Sequence, residues 1–135
     1  MIRNKSQLNS ISSEAEDVWI ENFVTPGQKN LLLNKQQSMK NLTIGFNALN
    51  GISVFELRGL AKLERVVIMR GGFAGGSGRL RITKCNSLKS IEIGEYAFIK
   101  YKYMELIDLP QLESVKMDGY AFQNVQTVIF EGKNG

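Results

Sequence analysis

The residues able to do covalent chemistry in this chain are few. Its 135 residues include no histidine and a single cysteine, Cys85. Without histidine, neither a Ser-His-Asp relay nor a Cys-His pair can be assembled. The usual nitrogen and sulfur ligands of a zinc site are missing for the same reason. One thiol cannot close an intramolecular disulfide, and Cys85 reads as a small core residue. The acidic residues do not recur at a spacing that would pair two carboxylates for acid–base work. The expectation is a protein that is not an enzyme, with no catalytic residues, no metal site and no cofactor.

Two other features invite a chemical reading. Arg70-Gly-Gly-Phe-Ala-Gly-Gly-Ser-Gly-Arg79-Leu-Arg81 is rich in glycine and arginine. As a phosphate cradle it lacks both the lysine and the following helix that supply the physics. As an Arg-Gly-Gly contact it occurs once, whereas nucleic-acid tracts repeat. A flexible loop between strands at Gly75–Gly78 is the reading preferred. Arg70, Arg79, Arg81 and Lys84 have no acid between them, yet the formal net charge is only +4, from 17 basic against 13 acidic residues. A nucleic-acid partner is therefore not expected. No apolar run reaches the roughly 18 residues of a membrane span, and Met1–Ser10 is too polar for a signal peptide, so membrane insertion is not expected either.

What positions these side chains is a repeat. Segments Met39–Lys62, Leu63–Ser87, Leu88–Gln111 and Leu112–Gly135 align with lengths of 24, 25, 24 and 24. Slot one reads Met39, Leu63, Leu88, Leu112; slot four Leu42, Val66, Ile91, Val115; slot six Ile44, Ile68, Ile93, Met117; slot eleven Leu49, Phe73, Phe98, Phe122. A second apolar pair recurs as Phe55/Leu57, Leu80/Ile82, Met104/Leu106 and Val128/Phe130. The extra residue of the second unit falls within Gly75–Gly78. Both motifs alternate with period two, so each unit should hold two short strands. One unit cannot bury its apolar face alone, and stacking in register builds a continuous core. The fold expected is a mainly β solenoid with little helix and parallel strands on both sides. A degenerate unit occupies residues 15–38, read either as a strand-like half-repeat through Val18, Ile20, Leu31 and Leu33 or as a cap. The helical alternative rests on the capping box Ser13-x-x-Glu16. Residues 1–14 form a polar N-terminal tail, its first twelve residues expected to be mobile.

The pattern Leu88-x-x-Ile91-x-Ile93-x-x-Tyr96-x-Phe98, with its copies from Met39, Leu63 and Leu112, resembles the leucine-rich repeat core. The run Ile93-Gly-Glu-Tyr-Ala-Phe98 is most similar to the divergent repeats of bacterial surface antigen-like proteins of bacteria and protists. Two departures stand out. The family's asparagine survives only as Asn47, replaced later by Gly71, Tyr96 and Tyr120, so the turns must satisfy their backbone groups another way. The returning side reads as strand where many members carry helix.

The resemblance implies a non-catalytic protein-interaction module whose exposed first-strand residues form a concave face binding a protein partner. The candidates there are Phe46, Arg65, Val67, Met69, Arg70, Glu92 and Lys116. It also leans the compartment toward the cell surface. A structural alternative is self-assembly into an oligomer or filament by end-to-end stacking. The final unit keeps its apolar signature, and between Gln123 and Phe130 there is neither charge nor proline to blunt an edge. Val128, Ile129 and Phe130 are the expected self-association edge.

Overall fold

The computed structural model describes residues 1–131, and over them the chain winds into five coils of about 24 residues with two parallel sheets. After the short helix α1 (Lys5–Leu8), the strands in chain order are β1 (Asp17–Ile20), β2 (Asn30–Leu33), β3 (Asn41–Ile44), β4 (Val54–Arg58), β5 (Arg65–Ile68), β6 (Arg79–Thr83), β7 (Ser90–Ile93), β8 (Tyr103–Ile107), β9 (Ser114–Met117) and β10 (Thr127–Glu131). The first strand of every coil pairs with its copy to give the order β1-β3-β5-β7-β9, and the second strands run β10-β8-β6-β4-β2.

The register follows the repeat slots. Asp17, Asn41, Arg65, Ser90 and Ser114 sit side by side, as do Leu31, Phe55, Leu80, Met104 and Val128. A one-residue slip would turn every apolar side chain to solvent, so the alternation fixes the pairing. Val18 and Ile20 in β1, and Leu31 and Leu33 in β2, are buried. Residues 15–38 are therefore a coil of two strands, and the helical alternative at Ser13–Phe23 is not what forms.

Inside, each slot becomes a column. The slot-eleven aromatics stack, with ring centroids 4.7 Å apart for Phe73 and Phe98 and 4.8 Å for Phe98 and Phe122. Phe55 extends the stack from the returning side at 4.5 Å from Phe73. Tyr101 packs edge-on against Phe98, and its hydroxyl donates to the Ile52 carbonyl two coils away. Burial pushes that phenol's pKa above its ordinary value. Cys85 is a fully buried free thiol, its pKa also raised by desolvation.

The turns show what replaces the asparagine ladder. Slot nine is left-handed in every coil: Phe23, Asn47, Gly71, Tyr96 and Tyr120 all have φ between 52° and 74°. That conformation directs the slot-nine N–H to the slot-eight carbonyl of the following coil: Phe23 to Phe46, Asn47 to Arg70, Gly71 to Glu95, Tyr96 to Gly119. Slots seven and eleven donate the other way, to the preceding coil, as in Met69 to Ile44 and Phe73 to Ala48. Backbone rungs running both up and down the stack satisfy the turn, so no polar side chain is required at slot nine.

The glycine tract has a structural cause. A Cβ on Gly76 would lie 2.2 Å from the Ile52 carbonyl oxygen, and one on Gly78 only 1.9 Å from that of Ser53. The enlarged loop thus lies flat on the coil beneath it, and Gly76 leaves room for Tyr101 to reach Ile52. Gly78 also accepts from Lys102 and Tyr103.

The ends of the solenoid differ. Ile2 pairs with Ile20, Asn4 caps α1 by accepting from the Gln7 N–H, and Leu8 is buried against the first coil. The first twelve residues are thus a fitted lid, contrary to the mobile tail expected from their polarity. Ile2, Leu8 and Ile11 are its apolar anchors. At the other end Leu112 and Val115 are only half-buried and Met117 is exposed. Leu112 was expected in the core with Ile68, Ile93 and Phe98. An inward side chain needs a coil on each side, and among the described residues none lies beyond β9 and β10.

Candidate functional site

The exposed side chains of β5, β7 and β9 and the turns that follow them build a depression of about 370 Å³. Six of the seven candidate residues line it: Phe46, Val67, Met69, Arg70, Glu92 and Lys116, joined by Glu95 and Asp118. Val67, Glu92 and Lys116 are adjacent rungs of one outward row, since Val67 registers with Glu92 and Glu92 with Lys116. Met69 lies one step along, between Gly45 and Gly94 of the neighbouring coils. Neither glycine could carry a Cβ without meeting backbone at 2.7 Å or less, so Met69 stands on a bare shelf.

Arg65 is placed differently. Its guanidinium is 2.8 Å from the Glu92 carboxylate, a diagonal pair across the two strands. The pair leaves Glu92 half-buried where full exposure was expected, and it neutralises both charges. Arg65 lines a second depression of about 250 Å³ with Trp19, Asn41, Thr43 and Val67.

A third and larger trough, about 530 Å³, lies at the turn edge beside the sheet. Its lining comprises Asn22, Phe23, Phe46, Asn47, Arg70, Gly71, Ala74 and Tyr96. Phe46 and Arg70 are common to this trough and the first depression, so they form the ridge between them. Arg70 lies 5.8 Å from the centroid of the Tyr96 ring, which in turn stacks on Tyr120 at 5.0 Å. The sequence reading missed Phe23 and Tyr96 as surface residues. The aromatic character of slot nine was the available signal.

The basic cluster of the sequence is dispersed by the fold. Arg79 stacks on Tyr103 at 5.6 Å, and Arg81 lies between Glu56 at 3.6 Å and Glu105 at 2.9 Å. Both belong to the returning sheet, away from Arg70. The alternating row Glu56, Arg81, Glu105 pairs as its signs foretell. The other alternating row, Lys40, Glu64, Lys89 and Glu113, shows no ion pair among its own members. There Lys40 pairs instead with Glu16 at 3.1 Å, which raises the Lys40 pKa. Among the described residues no group of three or more acidic, histidine or cysteine side chains could hold a metal ion.

The self-association edge is exposed at two of its three residues. Val128 and Phe130 are 56% and 61% exposed, while Ile129 is half-buried on the outer row beside Glu105. Compared with protein-family models, with curated proteins and with solved structures, the chain matches none.

Proposed function

We propose that this solenoid is a non-catalytic protein-interaction module of the leucine-rich type, and that it binds its partner on the β1-β3-β5-β7-β9 face. The observation that carries the reading is the convergence of Phe46, Val67 and Met69 with Arg70, Glu92 and Lys116 around one depression. Apolar and aromatic groups beside arginine are the composition of energetic centres in interfaces. The backbone beneath is held by rungs on both sides, so binding there would order little beyond side chains.

The test is capture on immobilised protein in 0.5 M salt, about where surface ion pairs are screened. A partner retained by the native chain should be lost with Val67→Glu/Met69→Glu. It should survive Val54→Glu, which changes the opposite sheet. Equal capture by all three proteins would refute the face assignment.

A second reading, self-assembly through the last coil, is favoured by one observation. Met117, Val128 and Phe130 are exposed there on inward slots, while the first coil is closed by Ile2 and Leu8. That asymmetry favours pairing of like ends by strand addition over head-to-tail stacking.

A further inference from the structure

The trough at the turn edge differs in electrostatic character from the depression on the sheet. Arg70 carries its one charge, and the rest of its lining is aromatic, amide, glycine or alanine. Arg70 makes no ion pair among the described residues, and its guanidinium is presented over the Tyr96 ring. Glu95, the nearest acidic residue along the turn, lines the sheet depression on the other side of the ridge. Phe23 and Phe46 stand exposed in the same lining, two coils or more from Tyr96 along the stack.

The walls are fixed. The Phe46 N–H is held by the Asn22 side chain at 2.8 Å, and the Asn47 and Gly71 N–H groups are locked to Arg70 and Glu95 carbonyls at 2.9 Å each. Gly71 has no side chain, and the Asn47 carboxamide lies over it where a Cβ would otherwise stand, so the floor there is an amide. Lining residues come from four successive coils, so the trough spans about 14 Å at roughly 4.8 Å per coil. That is the length of about four residues of extended chain.

We propose that this trough docks an extended segment of a partner protein in which a carboxylate side chain neighbours a bulky apolar one. The carboxylate takes the Arg70 guanidinium, and the apolar side chain packs on the exposed Phe23 and Phe46 rings beside the Asn47 carboxamide. An arginine without an ion pair, poised on an aromatic ring, offers a charge-assisted contact that a carboxylate satisfies better than an amide. The inference rests on the reading of this solenoid as a protein-binding module and adds the site and the chemistry recognised.

The experiment is selection of a phage-displayed random dodecapeptide library on the purified native protein. Enriched peptides are then synthesised with a fluorescent label and titrated by anisotropy. Enriched sequences should share an aspartate or glutamate within two residues of an aromatic or branched aliphatic one. Arg70→Ala should weaken them tenfold or more, Arg70→Lys less, and the distant surface variant Lys62→Ala by under twofold. Replacing the peptide's acid by its amide should reproduce the Arg70→Ala loss. Arg70 is exposed, so unchanged circular dichroism of the variants confirms the fold. Peptides lacking an acid, peptides indifferent to Arg70→Ala, or no enrichment would each overturn the proposal. Peptides lost with Met69→Glu but not with Arg70→Ala would overturn it while leaving the module reading intact.

Discussion

At the scale of the residue, Tyr101 joins three coils at once. Its ring packs on Phe98 and its hydroxyl spans the gap above Gly76 to Ile52. Removing the hydroxyl leaves the buried Ile52 carbonyl without that donor, so Tyr101→Phe should cost about 1–3 kcal/mol in urea melts. The same phenol gives a pH dependence. Its folded pKa is raised above the ordinary 10.0 by burial, so the folded chain keeps a proton that the unfolded chain releases. Stability from this group is full below about pH 10 and declines as pH rises further. Melts followed from pH 9 to 11 should show a loss in the native protein that is smaller in Tyr101→Phe. Equal slopes would show that this phenol is not the group responsible. The ridge residues Phe46 and Arg70 matter for another reason, since each faces two cavities and a substitution there alters both.

At the scale of the element, each strand works because its inward side chains are covered from both neighbouring coils. Ile93 is 2% exposed in β7, with Ile68 and Met117 beside it in register. Ile93→Asp places an unpaired charge there and should cost about 3–5 kcal/mol, measurable by chemical denaturation. A loss under about 1 kcal/mol would contradict the register. The loop Gly75–Gly78 makes an opposite kind of demand, for absence of side chain. Gly78→Ala should lose about 1–3 kcal/mol through overpacking against Ser53. Gly119→Ala, whose Cβ would meet nothing within 4 Å, should leave the melt within about 0.5 kcal/mol of native. Glycine in this loop marks close backbone contact at Gly76 and Gly78, while Gly75 and Ser77 are exposed as a loop between strands should be.

At the scale of the whole molecule, the two ends are chemically unequal. The first coil is closed by a segment that pairs Ile2 and plugs Leu8, while β9 and β10 present unpaired edges among the described residues with Met117, Val128 and Phe130 exposed. The window Val125–Phe130 is uncharged, free of proline and rich in β-forming residues, the composition that favours strand addition. Light scattering of this chain at tens of micromolar should show dimers or larger assemblies. Val128→Lys/Phe130→Lys should shift them to monomer without lowering the melting midpoint by more than a few degrees. Monomers at every concentration of the native chain would sink the self-assembly reading. Ile129→Lys is the weaker variant, because Ile129 is half-buried and beside Glu105, which would pair with the new lysine.

The amino-acid sequence by itself determined four coils, the place of their strands and most of the core, while residues 15–38 stayed open between a half-repeat and a cap. Period-two alternation and a 24-residue repeat depend only on which residues are apolar, and parallel stacking in register is the one arrangement that buries them all. That Val67, Glu92 and Lys116 would be neighbours was legible in the same way, because they share a slot in successive coils; the choice of that face came from the family resemblance. Tertiary structure alone decided the rest. The loss of the asparagine at slot nine left open how the turns are satisfied, and only the left-handed turns, with rungs running in both directions, answer it and leave Phe23 and Tyr120 exposed. The first twelve residues looked mobile because their composition is polar, yet three apolar side chains suffice when an open coil lies beneath them. The pairing of Arg65 with its diagonal neighbour Glu92 at 2.8 Å was likewise not in the repeat pattern. Periodicity reports which side chains share a column. Which way a turn faces, and what lies diagonally across two strands, depends on backbone geometry that no spacing in the sequence encodes.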